Sequence, residues 1–186
     1  MQRPVLAIVL SLGLLAITYP ISALPGLNIE TSMVGSSQLV QEPGYDSLFQ
    51  FGLRPEISIN AELTPVVDIG LALAYSYVFP SSFSPFWYRY KGYDYFALSI
   101  SLAYTNAQLP ITPSLHAGAS VGRYLNTDSY FFFTTIALRV RTRPIVFNNY
   151  LSLSLITAIP YSFRRDVSAV GLETGVSIRW RNSLEK

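Results

Sequence analysis

The one histidine in the chain, His116, follows Ser114 by two residues and precedes Ser120 by four, so on a strand all three side chains would leave from the same face. A serine, a histidine and a carboxylate in hydrogen-bonding contact form an acyl-transfer constellation, in which the imidazole takes the hydroxyl proton as the oxygen attacks a carbonyl. That chemistry needs a carboxylate arriving from another segment and a route for a substrate. The sequence favours the simpler reading, a histidine held in a polar interior. There is no cysteine and no cluster of histidines to ligate a transition metal, and no glycine-rich phosphate loop lies between a strand and a helix. No catalytic residue, metal or other cofactor is therefore expected.

Two further groups of residues could carry function. The first is a set of charges on the polar sides of alternating segments: Glu30, Arg54, Glu56, Glu62, Arg139, Arg141, Glu173 and Arg179. The second is the run 83–93, which is aromatic and cationic together through Phe86, Trp87, Tyr88, Arg89, Tyr90 and Lys91. Rings bring contact area and cations bring charge, so such a run anchors to headgroups or to a partner surface. An interfacial belt with snorkelling cations is the simpler reading, and a specific adhesive site the sharper one.

These residues depend on the strands that place them. Along 48–63, Phe49, Phe51, Leu53, Ile57, Ile59, Ala61 and Leu63 take the odd positions, while Gln50, Gly52, Arg54, Glu56, Ser58, Asn60 and Glu62 take the even ones. Alternation of this kind makes a strand with one apolar and one polar face. The pattern returns over 69–79, 96–104, 115–122, 132–141, 151–159 and 170–180, and a first segment lies at 27–34. That makes eight strands. Thr64-Pro65-Val66 is a tight turn, the stretch 35–46 reads as a loop, and 80–92 reads as a longer one. Short turns near 65, 107 and 145 fall on the side of the termini, and loops near 40, 86, 127 and 166 fall on the other. Pro55 removes a ladder donor within its strand, so a bulge or break is expected there.

The N-terminus sets the compartment. Met1-Gln2-Arg3 carries one positive charge, residues 5–17 are almost unbroken apolar, and Ile21-Ser22-Ala23 offers a small residue for cleavage. We read residues 1–23 as an export signal and 24–186 as a single β domain. The apolar run is shorter than the ~20 residues of a spanning helix. Half of all residues are hydrophobic and mean hydropathy is +0.32, values that suit a chain surrounded by lipid. A net charge of +2 gives no footprint for nucleic acid.

Export, eight strands and the hydropathy together predict an all-β fold, an eight-stranded antiparallel up-and-down transmembrane β-barrel. A soluble lipocalin-like barrel or a sandwich also uses short alternating strands, with the apolar face inward. Two features oppose it: the polar faces are rich in Gly, Ala and Ser rather than Lys and Glu, and aromatics gather near strand ends. Tyr75, Tyr77, Phe79, Tyr95, Phe96 and Tyr130 are expected at the outer interface, with Tyr104 and Trp180 at the inner one.

The arrangement resembles the small eight-stranded outer-membrane barrels, the class of OmpX, OmpW and the OmpA membrane domain. Glu173-x-Gly175-x-x-Ile178-x-Trp180 also looks like the C-terminal signal that this class presents to the barrel-assembly machinery, although six residues, 181–186, follow the aromatic where that class usually ends. The resemblance implies insertion in a bacterial outer membrane, contact with lipid and lipopolysaccharide or its equivalent, and assembly by that machinery. The acyl-removing barrel enzymes carry a His-x-Ser spacing that is absent here, and the outer leaflet where they act is far from the inner end expected for His116.

An eight-stranded barrel has room for side chains or one small ligand, not a wide pore. Strands in the middle of the chain contribute small inward residues, and later ones contribute arginines. Closure of the barrel brings the first and last strands together, placing Glu30 beside Arg179, and Arg54 and Glu56 within range of Glu173. Opposite charges at matching depth predict a charged plug and a role in envelope structure or in surface contact through the outer loops. The alternatives are a narrow channel or carrier for a small or apolar solute, the arginines forming an anion-selective constriction where the solute is a small anion, and, least favoured, an enzyme acting on lipid.

Overall fold

The computed structural model describes residues 27–41, 48–79, 92–125, 129–148, 151–165 and 167–180. The expected export signal and the aromatic run from Phe86 to Lys91 lie outside these residues. Nine strands follow in order: β1 (Leu27–Gln41), β2 (Leu48–Thr64), β3 (Val67–Val78), β4 (Tyr93–Tyr104), β5 (Ile111–Tyr124), β6 (Tyr130–Thr142), β7 (Ile145–Val146), β8 (Leu151–Arg164) and β9 (Val167–Trp180). Every pairing is antiparallel. Each long strand pairs with the next, β6 pairs with β8, and β1 pairs with β9, so eight long strands close a cylinder. The two-residue β7 only extends the turn before β8.

Closure has a physical reason. A strand with unpaired N–H and C=O groups in hydrocarbon loses several kcal/mol per group, and a closed ladder leaves none along its edges. The wall follows the two-residue period. Leu71, Leu73, Leu98, Ile100, Leu102, Leu115, Phe132, Leu138, Leu155, Ile159 and Leu172 are exposed on the outside. Ala72, Ala74, Ser76, Ser101, Ser120, Ala137, Ser154 and Ser177 are buried on the inside. This is the reverse of a soluble barrel, in which the leucines would meet at the centre.

Two prolines leave visible marks. Between β2 and β3 the ladder runs from Leu53↔Tyr77 to Glu56↔Ala74 and skips the two positions around Pro55, with no slip in register. On its other side Pro55 stays paired with Met33. The β8–β9 ladder likewise passes from Ala158↔Glu173 to Tyr161↔Val170 across Pro160, while Pro160 keeps Ala137 as its partner on β6. Each ring removes the donor on one side only, so one ladder breaks and the other continues.

β1 is longer than its composition suggests. Gly35, Ser36 and Ser37, read from sequence as the start of a loop, stay in the strand, which continues to Gln41 between β2 and β9. Neighbours on both flanks satisfy its backbone, so no apolar pattern is needed to hold it. Tyr95 also differs from expectation. It faces the lumen from β4, across from Ser76 and Gly122, because it is in phase with the inward Ala97 and Ser99 rather than with Phe96.

The seam between β1 and β9 depends on Gly175. A Cβ there would stand 2.1 Å from the Met33 carbonyl oxygen and 2.8 Å from the Val34 Cα, both main-chain atoms that cannot swing aside. Gly175→Ala should therefore destabilise the barrel by about 1–3 kcal/mol, as overpacking does elsewhere. Urea unfolding of the protein in lipid vesicles reads this directly; an unchanged midpoint would show that the seam can spread at no cost.

Candidate functional site

Inside the cylinder the charged side chains form two connected groups. The first is a four-member chain. Arg54 and Glu56 lie two residues apart on β2 and so share the inner face. Arg54 donates through both terminal nitrogens to Glu173 on β9, at 2.7 and 2.8 Å, and Nη2 also stands 3.3 Å from Glu56 Oε2. Glu56 in turn accepts from Arg139 on β6 through both oxygens, at 2.5 and 3.0 Å. All four are at least nine-tenths buried. Two acids and two bases at one level make a neutral set, and the paired forks are the strongest geometry available to such groups.

The second group lies towards the inner end. Glu30 and Arg179 are register partners on the closing strands, and Glu30 Oε2 accepts from Arg179 Nη2 at 3.2 Å and from its Nε at 3.3 Å. The same oxygen accepts from Arg141 Nη1, reaching across from β6. A cavity of about 30 Å³ beside this group is lined by Asp68, Ser101, Ser114 and His116 together with the three charged residues. Asp68 is a buried carboxylate that the sequence reading left out of the charge set. Its position on β3, in phase with Gly70 and Ala72, was the available signal. Glu62 differs from expectation: it is exposed, next to the register shift between Glu62 and Thr64 that carries β2 into the Pro65 turn, and among the described residues no ion pair holds it.

His116 lies between the two groups and borders the small chambers on either side. Its Nε2 is 3.0 Å from Ser114 Oγ, the contact a nucleophile and its base would make. The third member is missing: His116 Nδ1 is buried and has no hydrogen-bond partner among the described residues. Ser114 Oγ also donates to the Arg139 carbonyl at 3.4 Å. Without an orienting carboxylate the imidazole is not held as the base of a triad. No group of three or more metal-ligating side chains occurs among the described residues.

At the outer end a weaker pair, Arg123 Nη2 to Asp94 Oδ2 at 3.4 Å, joins β5 to β4. Arg123 is in part exposed, so this contact contributes little. Aromatic side chains also turn inward there, which sequence reasoning missed, because residues 130–133 are aromatic in both phases.

Apolar wall, closed ladder and polar, ion-paired lumen together define a small integral β-barrel of the bacterial outer membrane. Solved structures share this architecture. The chain is similar in fold to Ail, the attachment invasion locus protein of Yersinia pestis, at 13% identity and a TM-score of 0.52, with 82% of this chain and 97% of that one covered. It is similar also to Neisserial surface protein A, at 13% identity and a TM-score of 0.54, covering 82% and 96%. No protein-family model matches the sequence, and no curated protein matches it.

Proposed function

We propose that this barrel is closed by its own ion pairs and serves envelope structure or surface contact through its outer loops, not conduction. The observation that carries the reading is the continuous chain Glu173–Arg54–Glu56–Arg139, which fills the lumen with charges satisfying one another. An arginine engaged on both faces of its fork is not free to bind and release a passing anion. In planar bilayers the purified protein should give no stable unitary conductance. Long-lived, large openings would contradict the plug.

One observation favours the second reading, a narrow anion path. At the inner mouth a cavity of about 240 Å³ is lined by Arg141, Arg143 and Arg179, with Thr105, Ser152 and Ser154. Small openings with anion selectivity, lost on Arg143→Gln, would support that reading over the plug.

For surface contact we look to the run from Phe86 to Lys91, including Arg89 and Tyr90. Aromatic and cationic side chains together suit anionic headgroups such as lipopolysaccharide, or a partner surface. Replacing Phe86, Trp87 and Tyr88 together by serine should leave folding intact and lower binding of the protein to lipopolysaccharide-coated surfaces several-fold. Unchanged binding would remove the loop from the proposal. Delivery by the barrel-assembly machinery, with Glu173, Gly175, Ile178 and Trp180 as its signal, belongs to the same proposal, as do removal of residues 1–23 and the absence of enzymatic activity.

A further inference from the structure

The inner mouth of the lumen gathers three arginines. Arg139, Arg141 and Arg143 alternate along β6 and just past its end, so all three share the phase that faces the interior. Arg179 arrives from β9. The main-chain N–H of Arg143 donates at 2.8 Å to the Pro110 carbonyl, which fixes its backbone against the turn before β5. Arg141, Arg143 and Arg179 line a cavity of about 240 Å³ with Thr105, Thr112 and Ser154, and among the described residues no carboxylate lines it. Glu30 stands behind this wall, where a single oxygen, Oε2, accepts from both Arg141 and Arg179. Asp68 borders the adjoining chamber instead, and among the described residues no ion pair holds Arg143. The cations also remain reachable: Arg143 is exposed, and Arg141 and Arg179 each keep 15% of the side chain open. A recess lined by charge of one sign concentrates ions of the other.

We propose that this cavity is a terminal binding site for a small tetrahedral oxyanion of the phosphate class, which enters from the inner side and is held by Arg143 together with the guanidinium nitrogens of Arg141 and Arg179 that Glu30 does not use. Charge sets the sign of the ligand. Direction sets its shape, because the donors come from several walls: Arg141 from β6, Arg179 from β9, Thr112 from β5, Ser154 from β8 and Thr105 from the end of β4. Four oxygens at tetrahedral angles meet more of these donors than a planar carboxylate does, and guanidinium forks match phosphate geometry. Size allows it. A cavity near 150 Å³ accommodates benzene, so one of about 240 Å³ holds a phosphate with some of its water. The inference rests on a lumen closed by its ion pairs, since an anion seated here goes no further.

The test is isothermal titration of inorganic phosphate into the full-length protein in maltoside micelles, which carry no phosphate, at constant ionic strength and with empty micelles as the blank. Saturable one-site binding is expected, weakened at least five-fold by Arg143→Gln and largely kept by Arg143→Lys, which retains the charge. Thr105→Glu, which sets a carboxylate on the wall, should weaken it as much as Arg143→Gln, while Arg123→Gln at the other end of the barrel should leave it unchanged. Heat-modifiable mobility shows which variants are folded, and should Arg143→Gln or Thr105→Glu fail to fold, the other carries the test. No heat beyond that of empty micelles would overturn the proposal, as would undiminished binding by a folded Arg143→Gln variant or tighter binding of acetate than of phosphate. Nanodiscs of phosphatidylcholine separate the two sources of phosphate. Equal affinity there is expected of a soluble ligand, and loss of binding would hand the site to a lipid headgroup and overturn a soluble one. Conductance in planar bilayers would refute the closed lumen alone, because these heats do not depend on passage.

Discussion

Glu56→Ala should remove about 3–5 kcal/mol of stability, the range found when one member of a buried, hydrogen-bonded ion pair is deleted. Glu56 accepts both nitrogens of the Arg139 fork and also neighbours Arg54, so its loss leaves Arg139 buried with no carboxylate within ion-pair distance among the described residues. Arg54 retains Glu173. The loss therefore falls mainly on Arg139, and a double change tests whether it does. Glu56→Leu combined with Arg139→Met takes out both charges at similar volume and should recover more than half of the deficit, because an apolar pair replaces an ionic one at little net cost. Urea unfolding in lipid vesicles, followed by tryptophan fluorescence, gives all three values. Equal instability of the single and double variants would show that shape, not charge, holds the lumen.

Leu98→Arg should cost about 2–4 kcal/mol, the penalty for a cation at the middle of the lipid face of a barrel. Leu98 is the sixth residue of twelve in β4, faces outward, and is 54% exposed. In a water-soluble protein the same change at an exposed site would stay within about 0.5 kcal/mol of zero. The two solvents thus give different numbers for one substitution. Leu63→Arg, beside the Pro65 turn, provides the depth control and should cost about 0–1 kcal/mol. A flat response from Leu98 to Leu63 would mean that the wall does not face hydrocarbon.

The fold was legible because its signal has a period of two and recurs eight times. Phe49 to Leu63 and Ile69 to Tyr77 show it plainly, and the exposed residues there are the ones the alternation selects, except Glu62 beside the turn. What composition concealed was the length of β1. Serines and a glycine at 35–37 read as a loop, and only the ladders on both flanks reveal a strand. Within the lumen, neighbours on closing strands could be read directly: Glu30 faces Arg179 because the first and last strands must meet. The contact from Arg139 to Glu56 could not, since it crosses the interior and depends on the stagger of strands far apart in sequence. Asp68 and Tyr95 were legible in phase: Asp68 belongs with the inward charges, and Tyr95 faces the lumen rather than the outer aromatic belt expected from its residue type. The inward turn of Phe131 was hidden, because a run of four aromatics has no alternation to read.

In the circular order of the eight long strands, β2 and β6 stand four places apart, at opposite ends of a diameter. The Glu56–Arg139 contact therefore acts as a strut across the ring rather than a stitch along its wall, and Glu30–Arg141 braces a second chord nearer the inner rim. A thin cylinder squeezed sideways by surrounding lipid tends to flatten into an ellipse. Tied at two heights, this one should keep a round cross-section, and relaxation measurements of its backbone should find the girth of the barrel quieter than its length would suggest.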